Sequence, residues 1–168
     1  MSYYAIVRGP LGAGKTTVSG RLASAVGGKH VAIDAILDQY QLEEWDEDCI
    51  SEASFLRANA IAVREAEPTL RSLSPVIFDG NFYWRSAVDD LVARLPFPHV
   101  VFTLKVPLAT CIARDAGRSP SYGPDSAREV YAKTTAFDYG VLVDATGSVD
   151  VIVKVMLAEL RHRVSLVR

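Results

Sequence analysis

The sequence predicts an α/β fold built on a parallel sheet, and three observations carry that expectation. Short β-rich runs alternate with segments of helical periodicity along the chain. The runs are apolar almost continuously rather than at every second residue. A glycine-rich loop, GPLGAGKT at 9–16, joins the first run directly to the first helical segment. Continuous apolar runs mark strands buried on both faces, as parallel strands covered by crossover helices are.

In chain order, strands are expected at 3–7, 31–33, 76–78, 100–105 and 141–143. Helical spacing appears at Val18, Leu22 and Val26, then at Ile50, Ala53, Leu56, Ala60 and Val63, and last at Ile152, Val155, Met156 and Leu160. Pro68 and Pro75 bracket the end of the long second helical segment, and a further helix is expected over 85–95, stopped by Pro96 and Pro98. The segment GRSPSYGP at 117–124 holds two prolines and two glycines, which break regular structure; it reads as a lid or as an ordinary surface turn. With no repeat or linker, 1–168 reads as one domain with a lid segment at about 115–126.

A chain of 168 residues buries enough apolar surface to fold without disulfides or a structural metal. Its 49% hydrophobic and 23% charged content and its net charge of -2 fit a soluble globular protein with no general attraction to polyanions. No apolar run approaches the roughly 18 residues of a membrane span, and the start lacks a basic segment followed by a long apolar core. A cytoplasmic location and no membrane partner are expected. Cys49 and Cys111 lie far apart without a CxxC partner, so two reduced thiols are expected.

The loop carries the chemistry. Gly9, Pro10, Leu11, Gly12, Ala13, Gly14, Lys15 and Thr16 meet the pattern GxxxxGK[ST], followed by Thr17. Glycines let the backbone turn its N–H groups inward around a phosphate chain at the positive end of the next helix. Lys15 would span the β- and γ-phosphates of ATP, and the Thr16 hydroxyl would ligate Mg2+.

With these residues in place, the chain resembles the small P-loop kinases, among them shikimate, gluconate, adenylate and polynucleotide kinases and chloramphenicol phosphotransferase. The resemblance implies a P-loop NTPase three-layer sandwich with a five-stranded parallel sheet of order 2-3-1-4-5. It also implies an acceptor region after the second strand and a lid between the fourth and fifth. Asp34 in Ala32-Ile33-Asp34 resembles the carboxylate that orients an acceptor hydroxyl and takes its proton, with Asp38 one turn on as a second candidate; the plain alternative is that Asp34 caps a helix beginning at Ala35. Asp79 and Gly80 end an apolar run as in adenylate kinases, which makes Asp79 a candidate Mg2+ ligand, although Asn81 departs from that pattern. Arg85 and Arg57 are candidate acceptor ligands. Arg114 and Arg118, four apart, resemble lid arginines that close on the transferring phosphoryl group, or else are solvated surface residues. Thr146 and Gly147, in Asp144-Ala145-Thr146-Gly147-Ser148, resemble the turn beside the adenine, or simply cap the last helix. No [NT]KxD motif is present, which favours ATP over GTP.

The leading expectation is an ATP-dependent phosphotransferase acting on a hydroxyl of a small molecule. The acidic segment at 43–48 reads as a solvated loop and disfavours nucleic acid, and Arg161, Arg163 and Arg168 form only a modest basic tail. A polynucleotide 5'-hydroxyl kinase and an ATP-binding switch or slow ATPase acting on a protein partner remain alternatives.

Overall fold

The computed structural model describes residues 2–46 and 49–165. Glu47, Asp48 and Arg168, which belong to the acidic segment and the basic tail, lie outside the described residues. The elements in order are β1 Tyr4–Arg8, α1 Lys15–Val26, β2 Lys29–Ala32, α2 Ile33–Gln39, β3 Trp45–Asp46, β4 Cys49–Ile50, α3 Glu52–Arg71 and β5 Val76–Gly80. They continue with α4 Arg85–Arg94, β6 His99–Lys105, α5 Leu108–Ala116, α6 Pro124–Thr135, β7 Val141–Asp144 and α7 Val149–Ser165.

The main sheet runs β2-β5-β1-β6-β7, all parallel. Counting only its five strands, this is the order 2-3-1-4-5. β1 and β5 are buried at every residue, as their continuous apolar runs require. One face packs a cluster containing Phe55, Phe78, Phe82 and Leu91; the other packs Leu22, Phe102 and Met156. Each of these side chains contributes about 1.5–3 kcal/mol on burial. Cys49 is buried in the first cluster and Cys111 in the second.

Several elements differ from the sequence expectation. The second sheet strand ends at Ala32, and Ile33 begins α2. The buried stripe of α3 is Phe55, Ala58, Ala62, Ala66 and Leu70, not the expected one; Ala53 is exposed and Leu56, Ala60 and Val63 are half-buried. Counting from Ile50 set the phase wrongly, because Ile50 belongs to β4 and the helix starts only after Ser51, whose hydroxyl accepts from the Ser54 N–H at 3.2 Å. Pro68 lies inside α3, which continues to Arg71 because Ala66 and Leu70 anchor its last turns in the core. In α7, Val155 is exposed while Ile152, Met156 and Leu160 are buried. The acidic stretch is not a plain loop, since β3 pairs antiparallel with β4. The helix α6 was not expected: Pro124 occupies its first turn, and Ala127, Val130 and Thr134 face inward.

Candidate active site

Between β1 and α1, the phosphate loop lies above the carboxyl ends of the central strands, where parallel α/β sheets gather ligands. Gly12 has φ 79°, and a Cβ there would stand 2.5 Å from the Cys111 carbonyl oxygen, so the loop tolerates no side chain at its contact with α5. Gly14 precedes α1 in the left-handed region, φ 86°, leaving the first turn of the helix facing a cavity of about 790 Å³.

Lys15 and Thr16, with Leu11, Gly12, Gly14 and Thr17, form the loop side of this cavity. The Lys15 ammonium donates to the Pro10 carbonyl at 2.9 Å and is buried, which pulls its pKa down from the ordinary value; Asp34 and Asp79 oppose that shift. The Thr16 hydroxyl donates to Asp79 Oδ2 at 2.8 Å, and the other carboxylate oxygen lies 2.5 Å from His30 Nε2. Register explains the meeting: Asp79 stands beside Val7 of β1 and Ala32 of β2, so its carboxylate reaches both the loop and the β2 edge. A hydroxyl and a buried carboxylate oxygen beside a phosphate loop are the hard donors that Mg2+ takes, so the residues fit that ion.

Asp34 and Asp38 line the same cavity, one turn apart on α2. Asp34 is in the first turn rather than at the cap, which is Ala32, and its Oδ1 accepts the Asn81 N–H at 3.3 Å. Burial pushes the Asp34 carboxyl up to about 6, against the opposing pull of Lys15 and of the Asn81 N–H. Arg114 and Arg118 also line the cavity. Arg114 donates to the Ala145 carbonyl at 3.2 Å and to that of Ala13 at 3.5 Å, tying the phosphate loop to the turn after β7. Arg118 lies over the Tyr122 ring, 5.8 Å from its centroid.

Other expected residues stand apart. Arg57 is turned to Glu44 Oε1 at 2.7 Å and to the Leu42 carbonyl, outside the cavity lining. Arg85 faces a separate groove of about 550 Å³, its guanidinium over the Tyr139 ring. Gly80 packs under α2 against Ile33 and Phe82. Thr146 closes on Asp144 Oδ1 through its N–H and hydroxyl, and neither it nor Gly147 lines the cavity. That turn joins the site only through the Ala145 carbonyl that holds Arg114.

Sequence reasoning missed His30 and Arg8, and it missed Trp45, Tyr83 and Tyr122 on the cavity wall. Arg8 is wholly buried at the end of β1, next to the phosphate loop. It donates to Thr103 Oγ1 and to the carbonyls of Thr134 and Phe137, and stacks on the Phe137 ring. Burial pulls its guanidinium down to about 10. These bonds fix the end of α6 against the strand that carries the loop.

A family model described as AAA domain matches residues 5–137. No curated protein matches the sequence. Among solved structures, a gluconokinase from Sinorhizobium meliloti superposes with a TM-score of 0.73 at 22% identity, covering 97% of this chain and 94% of that one. A sugar kinase from Janibacter gives 0.77 at 16% identity over 96% and 95%, and shikimate kinase from Aquifex aeolicus gives 0.62 at 15% over 96% of each. At these identities the likeness is one of fold alone, an α/β fold with a five-stranded parallel sheet. No helix among the described residues is long and apolar enough to cross a membrane.

Proposed function

Because the chain belongs to the AAA domain family, we propose that it is an ATP-dependent kinase that moves the γ-phosphate to a hydroxyl of a small acceptor. The observation that carries this reading is the single cavity whose lining includes Lys15, Thr16, Asp34, Arg114 and Arg118. Asp34, across the same cavity from Lys15, stands where a carboxylate could orient an acceptor hydroxyl toward the phosphates.

In this mechanism the loop N–H groups wrap the phosphates of ATP, and Lys15 exchanges its bond to the Pro10 carbonyl for the phosphate oxygens. Asp34 orients the acceptor hydroxyl and takes its proton as the oxygen attacks phosphorus and the bond to ADP breaks. Arg114 and Arg118 spread donors over the oxygens that gain charge. Thr16 and Asp79 would hold Mg2+, which when bound neutralises phosphate charge that repels the nucleophile. Arg118 and Tyr122, which line the cavity, would belong to a lid at about 115–126, a segment braced where the Asp115 carboxylate accepts from Ser121, Tyr122 and Gly123. We place the reaction in the cytoplasm, in a chain acting as one domain.

The reading is tested by incubating the full chain with radiolabelled γ-phosphate ATP and Mg2+ over a panel of hydroxylated metabolites, nucleosides, antibiotics and 5'-hydroxyl oligonucleotides. Label transferred to a small acceptor supports it. Release of inorganic phosphate at one slow rate, whatever acceptor is added, overturns it in favour of a switch or ATPase.

A further inference from the structure

The two ends of the cavity differ in charge. Its cations are Lys15 at the phosphate loop, Arg114 at the end of α5, which abuts that loop, and Arg118 just after α5, over the Tyr122 ring. The remaining wall carries Asp34, Asp38 and Glu43, and no lysine or arginine among the described residues lines it. Glu43 is close enough to help raise the Asp34 and Tyr83 pKa values. Arg57, the nearest cation on α3, is engaged by Glu44. Recognition of an acidic acceptor runs through arginine or lysine donors, and this wall offers none.

What the wall does offer suits a positive group. Trp45 lines the cavity and is 65% exposed, and exposed aromatic faces attract ammonium groups, whereas the Tyr122 ring already lies under Arg118.

We propose that the acceptor is a hydroxylated organic cation, an amine-bearing sugar or cyclitol, whose ammonium is held by Asp38 and Glu43 beside Trp45 while one hydroxyl meets Asp34. The proposal rests on the kinase reading. The hydroxyl oxygen forms a bond to the γ-phosphorus, the bond to the ADP oxygen breaks, and the hydroxyl proton passes to Asp34. The acceptor's charge thus selects it without entering the chemistry.

Two sets of matched probes test it with the full chain, ATP and Mg2+: glucosamine, glucose and gluconate, and 2-deoxystreptamine, myo-inositol and shikimate. At least one amine-bearing probe is expected to be phosphorylated with kcat/KM about tenfold or more above its neutral counterpart, and the acids not at all. In an Asp38→Asn, Glu43→Gln double variant, the KM for that amine should rise about threefold to tenfold while the KM for ATP holds. Preference for a neutral or acidic probe overturns this inference and leaves the kinase reading intact, as does an unchanged KM for the amine in the double variant. Transfer to none of the six while another small acceptor of the wider panel is labelled overturns this inference alone, and slow release of phosphate whatever is added overturns both.

Discussion

Replacing Asp34 by Asn keeps the side chain's size, and its oxygen can still accept the Asn81 N–H, while the charge that burial resists is removed. Raising a carboxyl from 3.8 to about 6 in the fold corresponds to about 3 kcal/mol of resistance to ionisation. The sign follows from proton counting. Below 3.8 both folded and unfolded states hold the proton and the penalty is absent. Between 3.8 and 6 only the unfolded state loses it, so stability falls as pH rises, and above 6 the full penalty applies. Asp34→Asn should therefore melt like the wild type near pH 4 and up to roughly 6–12 °C higher at pH 8, the range that about 3 kcal/mol gives in a chain of this size. Phosphoryl transfer by the same variant should fall by roughly a hundredfold to ten thousandfold, the low end applying if the transition state is loose. Calorimetry across pH 4 to 8, paired with the transfer assay, reads both effects. A variant that melts lower than the wild type at every pH would make Asp34 a structural residue and refute the reasoning, as would full activity. Asp38→Asn is the control: Asp38 is exposed, so a loss of transfer there with retention in Asp34→Asn would move the base one turn along α2.

Two further substitutions probe the supports of the site. Arg118→Ala should lower kcat more than it weakens ATP binding, because a closing lid meets the transferring group late, and equal losses in both would contradict that timing. Arg8→Met removes donors from Thr103, Thr134 and Phe137 while relieving the cost of a buried cation; a net loss of about 2–4 kcal/mol in urea unfolding is expected. A change below about 0.5 kcal/mol would show the strand-to-α6 tie to be dispensable.

What was legible in the sequence was what is local. The phosphate loop carries its ligand chemistry in eight consecutive residues, and the strands of the sheet announce themselves by unbroken apolar runs, so both could be read with their order implied by resemblance. Asp34 and Asp79 were singled out because one follows and the other closes an apolar run beside that loop, Asp34 in the first turn of α2 just beyond β2 and Asp79 near the end of β5. His30 was not, because the contact that brings it to the site is with a residue 49 positions away. Arg8 was hidden for the same reason, its partners lying 95 to 129 residues on. The aromatic wall is equally non-local: Trp45, Tyr83 and Tyr122 come from three separate connections and meet only around the cavity. By contrast α6 had a readable signal in Gly123-Pro124-Asp125, a proline placed for a first helical turn, followed by Ala127, Val130 and Thr134 at helical spacing. Arg57 and Arg85 stand outside the cavity lining, Arg57 paired with Glu44 and Arg85 over the Tyr139 ring, contacts that the sequence did not announce.

The central claim is that phosphoryl transfer happens at the phosphate loop, and Lys15→Ala tests it most directly. Lys15 is buried and bonded only to the Pro10 carbonyl, so folding should survive its loss, as the circular dichroism spectrum and melting curve can verify. With an acceptor from the panel and labelled ATP, the folded variant should transfer phosphate at least about a hundredfold more slowly than the wild type. A folded Lys15→Ala protein that labels the acceptor at near wild-type rate would place the reaction elsewhere.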